Sequence, residues 1–426
     1  MTPLALIAHQ AGHQVSGSDK QHSDHIDELK QNGITNISLL QTHSAIAQAH
    51  AVAPIDWYVY SSAISIEAPN SPEFQFCKEM GIRMSKRAEL LNYLIDENNQ
   101  KLIAIAGTHG KTTTTAMAIW LLAQNNVPIS YLLPARTSYA EQGHYDKNAS
   151  YFVYEADEFD RNFLDFTPHI SLITGVDWDH PDVYPTRENY IAAFQQFITQ
   201  SQQTFLWQSD AKQLNVTESA SVHILEDTDT QINTMIPLPG SVNRQDAWLV
   251  TKSLDQIVNK PLESLCETMT HFPGVGRRFE LIAPNIYTDY AHTPPKIRGA
   301  IQIGHEVAGD NLVVIYEGLH NTRQYFIKND LRNLFDSVKA LYIVPSYLAR
   351  EDKSLTIWTP QDICDKLSDS AKNKAKPATL DTALKNSIQT HAAAGDTVLC
   401  LTAGGGGSLD EWLRVEFNKG TPPPKK

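Results

Sequence analysis

The chain has 426 residues, of which 42% are hydrophobic and 19% are charged, and its formal net charge at pH 7 is −13. This length and composition indicate a globular protein of roughly two to four domains. The acidic balance excludes nucleic acid and anionic membranes as partners held by bulk electrostatics, but it leaves acidic small molecules open, because local Arg and Lys side chains can still bind them.

Residues 1–99 alternate helix-like and strand-like patterns. Leu4, Leu6 and Ile7 predict a helix at the very start, and residues 13–19 predict a short strand that ends in a polar turn. A doubly wound domain normally begins with a strand and a glycine turn before its first helix. We therefore expect that both are missing here, through truncation of the chain or a misassigned start codon.

The rest of this segment predicts a strand at residues 57–60, a polar exit at 61–64 and a helix from about 87 to 95. A polar linker at residues 96–100 follows and marks a domain boundary. The predicted first domain therefore covers residues 1–99.

The most informative stretch is Gly-Thr-His-Gly-Lys-Thr-Thr at residues 107–113, between an apolar run and a helical pattern. It predicts a strand, a glycine-bearing turn and a helix, whose backbone N–H groups and N-terminus favour an anion. Lys111 can reach the outer phosphates of a nucleoside triphosphate, and the Thr112 hydroxyl can hold Mg²⁺. The strict phosphate-loop pattern has Gly where this chain has Ile105.

Two acidic segments follow predicted buried strands. Residues 155–158 end one strand, and residues 177–180 follow the next. Because the carboxyl ends of parallel strands meet at one edge of a sheet, Glu155 and His180 are predicted to bind a metal ion beside the phosphates. The alternatives are an acidic surface turn, above all for Glu158, and a structural or solvated role for His180.

A second boundary falls near residue 273. After it come predicted strands at residues 286–288, 311–316, 340–344 and 397–401, separated by helical stretches. This alternation predicts a further α/β domain of the doubly wound kind. The predicted second and third domains are residues 100–273 and 274–426.

Six motifs occur in a fixed order. They are GTHGKTT at 107–113, EADExD at 155–160, DH at 179–180, GxxN at 240–243, GVxRRFE at 274–280 and DYAHTP at 289–294. Together they resemble the Mur ligase family, the ATP-dependent amino-acid ligases of peptidoglycan precursor synthesis. In that family the shortened glycine pattern at Ile105 is normal.

The resemblance implies an α/β fold of three domains: a Rossmann-like domain for a UDP-sugar, a P-loop-type central ATPase domain and a doubly wound domain for the amino acid. It implies ATP and Mg²⁺ as cofactors. The residues implied to bind ATP are Gly107, Thr108, His109, Gly110, Lys111, Thr112, Thr113, Asn243, Arg278, Asp289 and His292. Those implied in catalysis are Lys111, Glu155 and His180, and those implied to bind metal are Thr112, Glu155 and His180. Those implied to bind the other substrates are Ser18, Asp19, Ser61, Ser62, Arg87 and Arg323.

Within the family the sequence most resembles the branch that joins L-alanine to the lactyl carboxylate of UDP-N-acetylmuramate through an acyl phosphate. The segments that carry this likeness are residues 16–19, 61–64 and 87–91. No lysine lies between His180 and Lys212. The carbamylated lysine of many sister ligases is therefore absent, as it is in this branch.

Two departures leave alternatives open. Only Arg323 matches the branch's stretch for capturing the amino-acid carboxylate, and the missing glycine turn implies weak binding of a UDP-sugar. The alternatives are a murein peptide ligase that attaches a recycled tripeptide to the same acceptor, a truncated ATP-binding paralogue without ligase activity, and a generic P-loop kinase or ATPase.

Cysteine usage and hydropathy bear on the compartment. Cys77, Cys266, Cys364 and Cys400 are far apart in the sequence, with no zinc or Cys-x-x-Cys spacing, so we expect free thiols in a reducing environment. No apolar run approaches the ~20 residues of a membrane span, and no signal peptide opens the chain. We therefore expect a cytoplasmic monomer or weak homodimer.

Overall fold

The computed structural model describes residues 1–61, 64, 68, 70–178, 183–348, 351–404 and 407–417. These residues form two compact units. The first consists of Met1–Asp229 and Leu249–Met269, and the second of Thr230–Trp248 and the chain from Thr270 onward. Within the described ranges, no helix is both long and apolar enough to cross a membrane.

The first hundred residues of the first unit form short alternating elements. Its helices are α1 Thr2–Gln10, α2 Asp24–Gln31, α3 His43–Val52, α4 Pro72–Glu79 and α5 Arg87–Glu97. Its strands are β1 Gly17–Ser18, β2 Ile37–Ser38, β3 Trp57–Tyr60 and β4 Arg83–Lys86. The strands pair in parallel, β1 with β2 and β3 with β4. The helix predicted at the start of the chain and the strand predicted at 57–60 are both confirmed.

The rest of the first unit is built on a seven-stranded sheet. Its strands are β5 Lys101–Ala106, β6 Ile129–Leu132, β7 Gly143–His144, β8 Tyr151–Glu155, β9 Ile170–Ile173, β10 Gln203–Trp207 and β11 Val222–Leu225. The spatial order is β11-β10-β9-β5-β8-β6-β7, and only the β6–β7 pair is antiparallel. The helical elements are α6 Lys111–Gln124, a 3-10 stretch Phe159–Asp165, α7 Arg187–Gln200 and α8 Gln208–Gln213.

Strand β5 lies at the centre of this sheet, between β9 and β8. Its last five residues are all buried, as a parallel strand covered on both faces requires. Ile105 pairs with Glu155 of β8, and Ala106 pairs with Ile173 of β9. The loop after β5 therefore lies at the sheet edge where β8 and β9 also end, which is where ligands bind in such folds.

One apolar core joins the early helices to this sheet. Leu4 and Ile7 of α1 and Leu91 and Leu94 of α5 lie in the same buried cluster as Phe152 of β8. The buried side chains of α1 and α5 therefore pack in the same core as the seven-stranded sheet.

The second unit is built on a six-stranded sheet. Between the two sheets in sequence the chain forms α9 Gln231–Met235, α10 Ser241–Val258 and α11 Leu262–Thr270. The strands are β12 Glu280–Ala283, β13 Ile286–Asp289, β14 Leu312–Leu319, β15 Ala340–Tyr347, β16 Ala375–Pro377 and β17 Thr397–Leu401, in the order β12-β13-β17-β14-β15-β16. The helices are α12 Pro294–Ala308, α13 Asn321–Leu331, α14 Pro360–Cys364, α15 Asp369–Lys372, α16 Thr382–Ala393 and α17 Leu409–Phe417. Only β12 is antiparallel to its neighbour.

Helices cover both faces of this second sheet. Leu312, Val314 and Tyr316 of β14 belong to one buried cluster, whereas Val313 and Ile315 belong to another. Successive side chains of a strand point to opposite faces, so the two clusters are two cores. This is the doubly wound arrangement that the sequence predicts.

Candidate functional site

The loop between β5 and α6 has a shape that glycine makes possible. Gly107 has φ = +144° and Gly110, directly before α6, has φ = +79°. A Cβ atom on Gly107 would lie 2.4 Å from Thr174 Oγ1 and 3.0 Å from the carbonyl oxygen of Gly175. The loop thus packs directly on the segment after β9, and no side chain fits at Gly107 without displacement.

Thr108 holds this loop in place through hydrogen bonds of its backbone and its hydroxyl group. Its N–H donates to the carbonyl oxygen of Gly175 at 2.8 Å. Its hydroxyl donates to the carbonyl oxygen of Asp177 at 2.7 Å, accepts from the N–H of Asp177 at 2.8 Å, and lies 2.7 Å from the Tyr190 hydroxyl. His109 Nε2 lies 3.3 Å from Asp177 Oδ2. Thr108 and His109, both predicted ATP-binding residues, therefore hold the loop against the segment at 175–177.

Lys111, the first residue of α6, turns back across the loop. Its ammonium group donates to the carbonyl oxygen of Gly107 at 2.7 Å and to Glu158 Oε2 at 2.5 Å, and it lies 3.7 Å from Asp157 Oδ1. Burial alone would lower the pKa of Lys111, but the carboxylates of Glu158, Asp157 and Glu155 outweigh it and raise that pKa above its ordinary value. The loop therefore presents a charged ammonium group.

Glu158 is a residue whose importance the sequence does not reveal. The interpretation as a surface turn is wrong for it, because its side chain is only 1% exposed. The Tyr184 hydroxyl donates to its carbonyl oxygen at 2.7 Å. Asp160 and Arg161 just beyond it have positive φ values of 54° and 57°, so the backbone is left-handed two residues after Glu158. In the sequence, the acidic cluster at 155–158 is the signal for this site, but no local pattern shows that the side chain of Glu158 is buried.

The predicted metal ligands of this unit have suitable chemistry. Thr112 lies in the first turn of α6 and Glu155 ends β8, one strand away. His180 lies outside the described residues. Within the described part of the chain, no group of three or more His, Cys, Asp or Glu side chains is arranged to hold a metal. Thr112 and Glu155 alone still suit Mg²⁺, because this ion keeps several water ligands and needs only one or two protein oxygens beside the substrate phosphates.

Asp210 supports the same edge of the sheet. Its Oδ1 accepts the N–H of Val176 at 2.9 Å, and its burial raises its pKa to about 6, against the pull of that N–H and of His109. The pKa in the folded state is above the ordinary value. The carboxyl group therefore contributes stability below about pH 4, and this contribution is lost as the pH rises through about 6.

We expect Asp210→Asn to remove this pH dependence. The amide keeps an acceptor for Val176 and carries no charge, so the free energy of unfolding of the variant minus that of the wild type should rise by about 2 kcal/mol between pH 4 and pH 7. Urea denaturation at several pH values measures it. A difference that stays constant across this range would contradict the assignment.

In the second unit, Asp289 ends β13 and His292 follows it, and both side chains are buried. Asp289 Oδ2 accepts the N–H of Phe279 at 2.8 Å, and its burial raises its pKa to about 6, against the opposing charge of Arg278. Burial, followed by the charges of Lys296, Arg323, Arg278 and His320, holds the pKa of His292 well below its ordinary value. The imidazole is therefore neutral, and among the described residues its Nδ1 has no hydrogen-bond partner.

The Arg277–Glu280 segment contacts the glycine-rich loop that follows β17, which carries four glycines at positions 404–407 of the sequence. Arg277 adopts φ = +60°, lies 4.5 Å from the centroid of the Tyr290 ring and donates to the carbonyl oxygen of Gly404 at 2.8 Å. Arg414 binds Glu280 through two bonds, at 3.1 and 2.6 Å. Arg278 is adjacent, 5.4 Å from the same Tyr290 ring. Arg277 and Tyr290 thus pack together, and Arg278 is placed beside them.

Glu317 of β14 is another buried carboxylate that the sequence does not reveal. It is 2% exposed, and it accepts the N–H groups of Ala403 at 3.0 Å and Leu409 at 2.9 Å. Burial raises its pKa. Its two oxygens therefore hold both ends of the glycine-rich loop.

We expect Glu317→Gln to lower the free energy of unfolding by about 1–3 kcal/mol, because one amide position then faces an N–H donor and leaves it unsatisfied. Guanidinium denaturation measures it. Glu416→Gln, whose part-exposed carboxylate pairs with Lys385 at 2.7 Å, is the control and should cost less than about 1 kcal/mol. Equal losses in the two variants would contradict the role of Glu317.

The N-terminus of α13 already carries a protein carboxylate. Glu351 Oε2 accepts the N–H of Thr322 at 3.0 Å and its hydroxyl at 3.3 Å, and Glu351 Oε1 lies 3.7 Å from His320 Nδ1. A negative charge is favourable at this helix end. Arg323 lies in the same first turn, and its contact with a substrate carboxylate stays a prediction.

The remaining predicted residues make contacts within their own units or start and follow helices and strands. Asn243, in the first turn of α10, donates to the carbonyl oxygen of Pro239 at 2.8 Å. Ser18 accepts from Gln41 at 3.3 Å, and Asp19 accepts the N–H of Lys20 at 2.6 Å. Arg87 begins α5, and Ser61 follows β3. Ser62 lies outside the described residues, and these substrate contacts stay predictions.

Comparison with known families decides the assignment. The chain matches three models in succession: Mur ligase family, catalytic domain, over residues 1–99; Mur ligase middle domain over residues 105–235; and Mur ligase, glutamate ligase domain, over residues 277–404. The chain belongs to the Mur ligase family. The predicted domain limits of 1–99, 100–273 and 274–426 stay predictions, because the described residues group into two units.

This Mur ligase is similar to a UDP-N-acetylmuramate–L-alanine ligase of Syntrophomonas wolfei, at 27% identity over 83% of this chain and 81% of the relative. The solved UDP-N-acetylmuramate–alanine ligase of Thermotoga maritima has 21% identity and a TM-score of 0.74, over 98% of this chain and 96% of that one. A murein peptide ligase of Psychrobacter arcticus has 20% identity and a TM-score of 0.61, over 98% and 96%. The predicted three-domain α/β fold class is confirmed.

Proposed function

We propose that this Mur ligase is an ATP-dependent ligase that joins L-alanine to the lactyl carboxylate of UDP-N-acetylmuramate in peptidoglycan precursor synthesis. The observation that carries the proposal is the glycine-shaped loop with its charged, buried Lys111, which occurs in a chain that resembles alanine-adding relatives over most of its length. A loop of this kind suits the phosphates of ATP.

The chemistry proceeds in two steps. The lactyl carboxylate attacks the γ-phosphate of ATP, an acyl phosphate forms and ADP leaves. The amine of the amino acid then attacks the acyl carbon, and phosphate leaves. Little covalent work falls to the protein, so the loop N–H groups and Lys111 serve to position the phosphates and to neutralise charge that develops on them.

Mg²⁺ would supply further charge neutralisation at the phosphates. Thr112 and Glu155 are the described residues that would hold it, and His180 is proposed as a further ligand. In this role the Thr112 hydroxyl and the Glu155 carboxylate act as oxygen donors, which is the ligand type that Mg²⁺ prefers.

Residues of the second unit are proposed to bind the rest of the substrates. Asn243 would contact adenine, and Arg278 would contact phosphate. Asp289 and His292 would lie at the ribose, where the neutral imidazole of His292 offers a hydrogen bond to a hydroxyl group. Arg323 would bind the carboxylate of the amino acid.

The second candidate function is that of a murein peptide ligase. The solved murein peptide ligase has the same fold over nearly the whole chain, and residues 318–323 match the alanine branch only at Arg323. The identity of the substrate that is joined to the lactyl carboxylate, L-alanine or a tripeptide, therefore has the least support in the proposal.

ADP release separates these functions. The purified chain is supplied with ATP, Mg²⁺ and UDP-N-acetylmuramate, together with either L-alanine or the recycled tripeptide. Faster release with L-alanine supports the proposal, and faster release with the tripeptide supports the second candidate. Release without any UDP-sugar indicates a generic ATPase, and no release under any condition indicates a paralogue without ligase activity.

The described cysteines fit the predicted compartment. Cys77, Cys266, Cys364 and Cys400 are all buried free thiols. Burial raises the pKa of Cys77 and of Cys266 to about 11, which keeps these thiols protonated and unreactive. We propose that the enzyme acts in the reducing cytoplasm.

A further inference from the structure

The ion pair between Lys111 and Glu158 does more than balance two charges. We propose that Glu158 is a positioning residue, which fixes the Lys111 ammonium group over the phosphate loop during phosphoryl transfer. The kinetic part of this inference rests on the proposed ligase function. Its structural part rests only on contacts within the first unit.

Because both side chains are buried, breaking the ion pair between Lys111 and Glu158 is costly. The side chains of Glu158 and Lys111 are 1% and 13% exposed, and their charged atoms are 2.5 Å apart. A buried carboxylate that loses the cation beside it is strongly destabilising, because its charge is then less compensated while it stays out of water. Lys111 is therefore expected to keep Glu158 while it binds phosphate, rather than to exchange one for the other.

The donors of the ammonium group allow both contacts at once. A lysine ammonium group has three N–H donors. One binds Glu158 Oε2, and a second binds the carbonyl oxygen of Gly107 at 2.7 Å. The third can donate to a phosphate oxygen at the loop, because the other carboxylate near the ammonium group, Asp157 Oδ1, lies 3.7 Å away and beyond hydrogen-bond distance. Two fixed acceptors thus set the position from which Lys111 meets its substrate.

Glu158 and the loop share one buried support. The Tyr184 hydroxyl donates to the carbonyl oxygen of Glu158 at 2.7 Å, and the Tyr184 ring packs edge-on against Tyr190 at 4.9 Å between centroids. The Tyr190 hydroxyl in turn lies 2.7 Å from Thr108 Oγ1. This chain of contacts fixes the distance between the carboxylate and the loop, as a positioning role requires.

The chain offers a matched control two residues further on. Asp160 also pairs with a lysine, Lys86, at 2.8 Å, but these side chains are 32% and 40% exposed. Asp160→Asn removes the same charge from the same segment without touching Lys111. Ion pairs of such exposure contribute little.

The first test is kinetic. We expect Glu158→Gln to lower kcat for ADP release about 10- to 100-fold, the loss expected for one hydrogen bond between charged groups, and Asp160→Asn to leave kcat within about twofold of the wild type. The Kd of the non-hydrolysable analogue AMP-PNP with Mg²⁺, measured by calorimetry, should stay within about threefold in Glu158→Gln, since the loop N–H groups are unchanged. Equal kcat values for Glu158→Gln and the wild type would overturn the inference.

The second test does not need catalysis. Lys111→Met leaves Glu158 buried without its cation, so we expect its unfolding temperature to fall by about 5 °C. Adding Glu158→Gln to that variant should restore more than half of the loss, because the uncompensated charge is gone. A double variant no more stable than Lys111→Met would overturn the inference. If the wild type releases no ADP with any acceptor, the proposed function fails, and this test still decides the pair.

Discussion

Replacing Lys111 by methionine is expected to lower kcat by at least about 10³-fold, the largest effect predicted for this chain. Methionine keeps the unbranched aliphatic stem, one atom shorter than that of lysine, and removes the charge and all three donors. Charge that develops on the transferred phosphoryl group then loses the cation that the loop places beside it. Measurement of ADP release at saturating substrate concentrations tests this expectation.

The structure adds a cost in stability to this kinetic loss. From the sequence alone, loss of Lys111 is expected to affect the rate far more than folding. Because Glu158 is buried against Lys111, the same substitution should also lower the free energy of unfolding by about 3 kcal/mol. Kinetics must therefore be measured well below the unfolding temperature of the variant.

Lys101→Met is the control for this experiment. Lys101 begins the same strand, β5, at the opposite end from the phosphate loop, and it is exposed. Its substitution should leave both kcat and stability nearly unchanged. A kcat for Lys111→Met within about tenfold of the wild type would show that the loop does not depend on this ammonium group, and would contradict the proposed site.

Elements with strong local patterns are predictable from this sequence. The apolar run of β5, the glycine turn and the helix after it are found as predicted. So are β8 and β9, the strands expected before the two acidic segments, and the four strands expected near residues 286–288, 311–316, 340–344 and 397–401. Most of these strands are parallel strands with an apolar run at their centre, such as β5 and β14, and the helix after β5 has a clear start at the glycine turn. Short strands such as β7, with two residues, and β16, with Pro377 at its end, carry no such pattern.

The partners within the candidate site are much less predictable. The cluster at 155–158 indicates acidic side chains near the phosphates, but no local pattern shows that Glu158 rather than Glu155 bonds Lys111. The backbone of Glu158 is held by the hydroxyl of Tyr184, which is 26 residues away in sequence and therefore belongs to no local pattern. Glu317 is hidden for the same reason, since its partners Ala403 and Leu409 follow a different strand.

Replacing Gly107 by alanine is expected to cost both stability and nucleotide binding. The added Cβ would lie 2.4 Å from Thr174 Oγ1 and 3.0 Å from the backbone oxygen of Gly175, at a φ of +144° that residues with side chains rarely adopt. Backbone strain and overpacking each cost about 1–3 kcal/mol, so the free energy of unfolding should fall by about 2–5 kcal/mol. Urea denaturation measures this loss.

Nucleotide binding should weaken as well, because the easiest relief of the clash is to move the loop away from the segment after β9. That movement would break the hydrogen bond that the Lys111 ammonium group donates to the carbonyl oxygen of Gly107 at 2.7 Å. We expect the Kd of AMP-PNP with Mg²⁺ to rise at least about tenfold.

Gly299→Ala is the matched control. Gly299 lies inside α12 with its nearest neighbour 4.0 Å from the added Cβ, so the same substitution should stabilise the chain by up to about 1 kcal/mol. If Gly107→Ala lowered neither the stability nor the affinity for AMP-PNP, the close packing of the loop on Thr174 and Gly175 could not be what shapes the phosphate site.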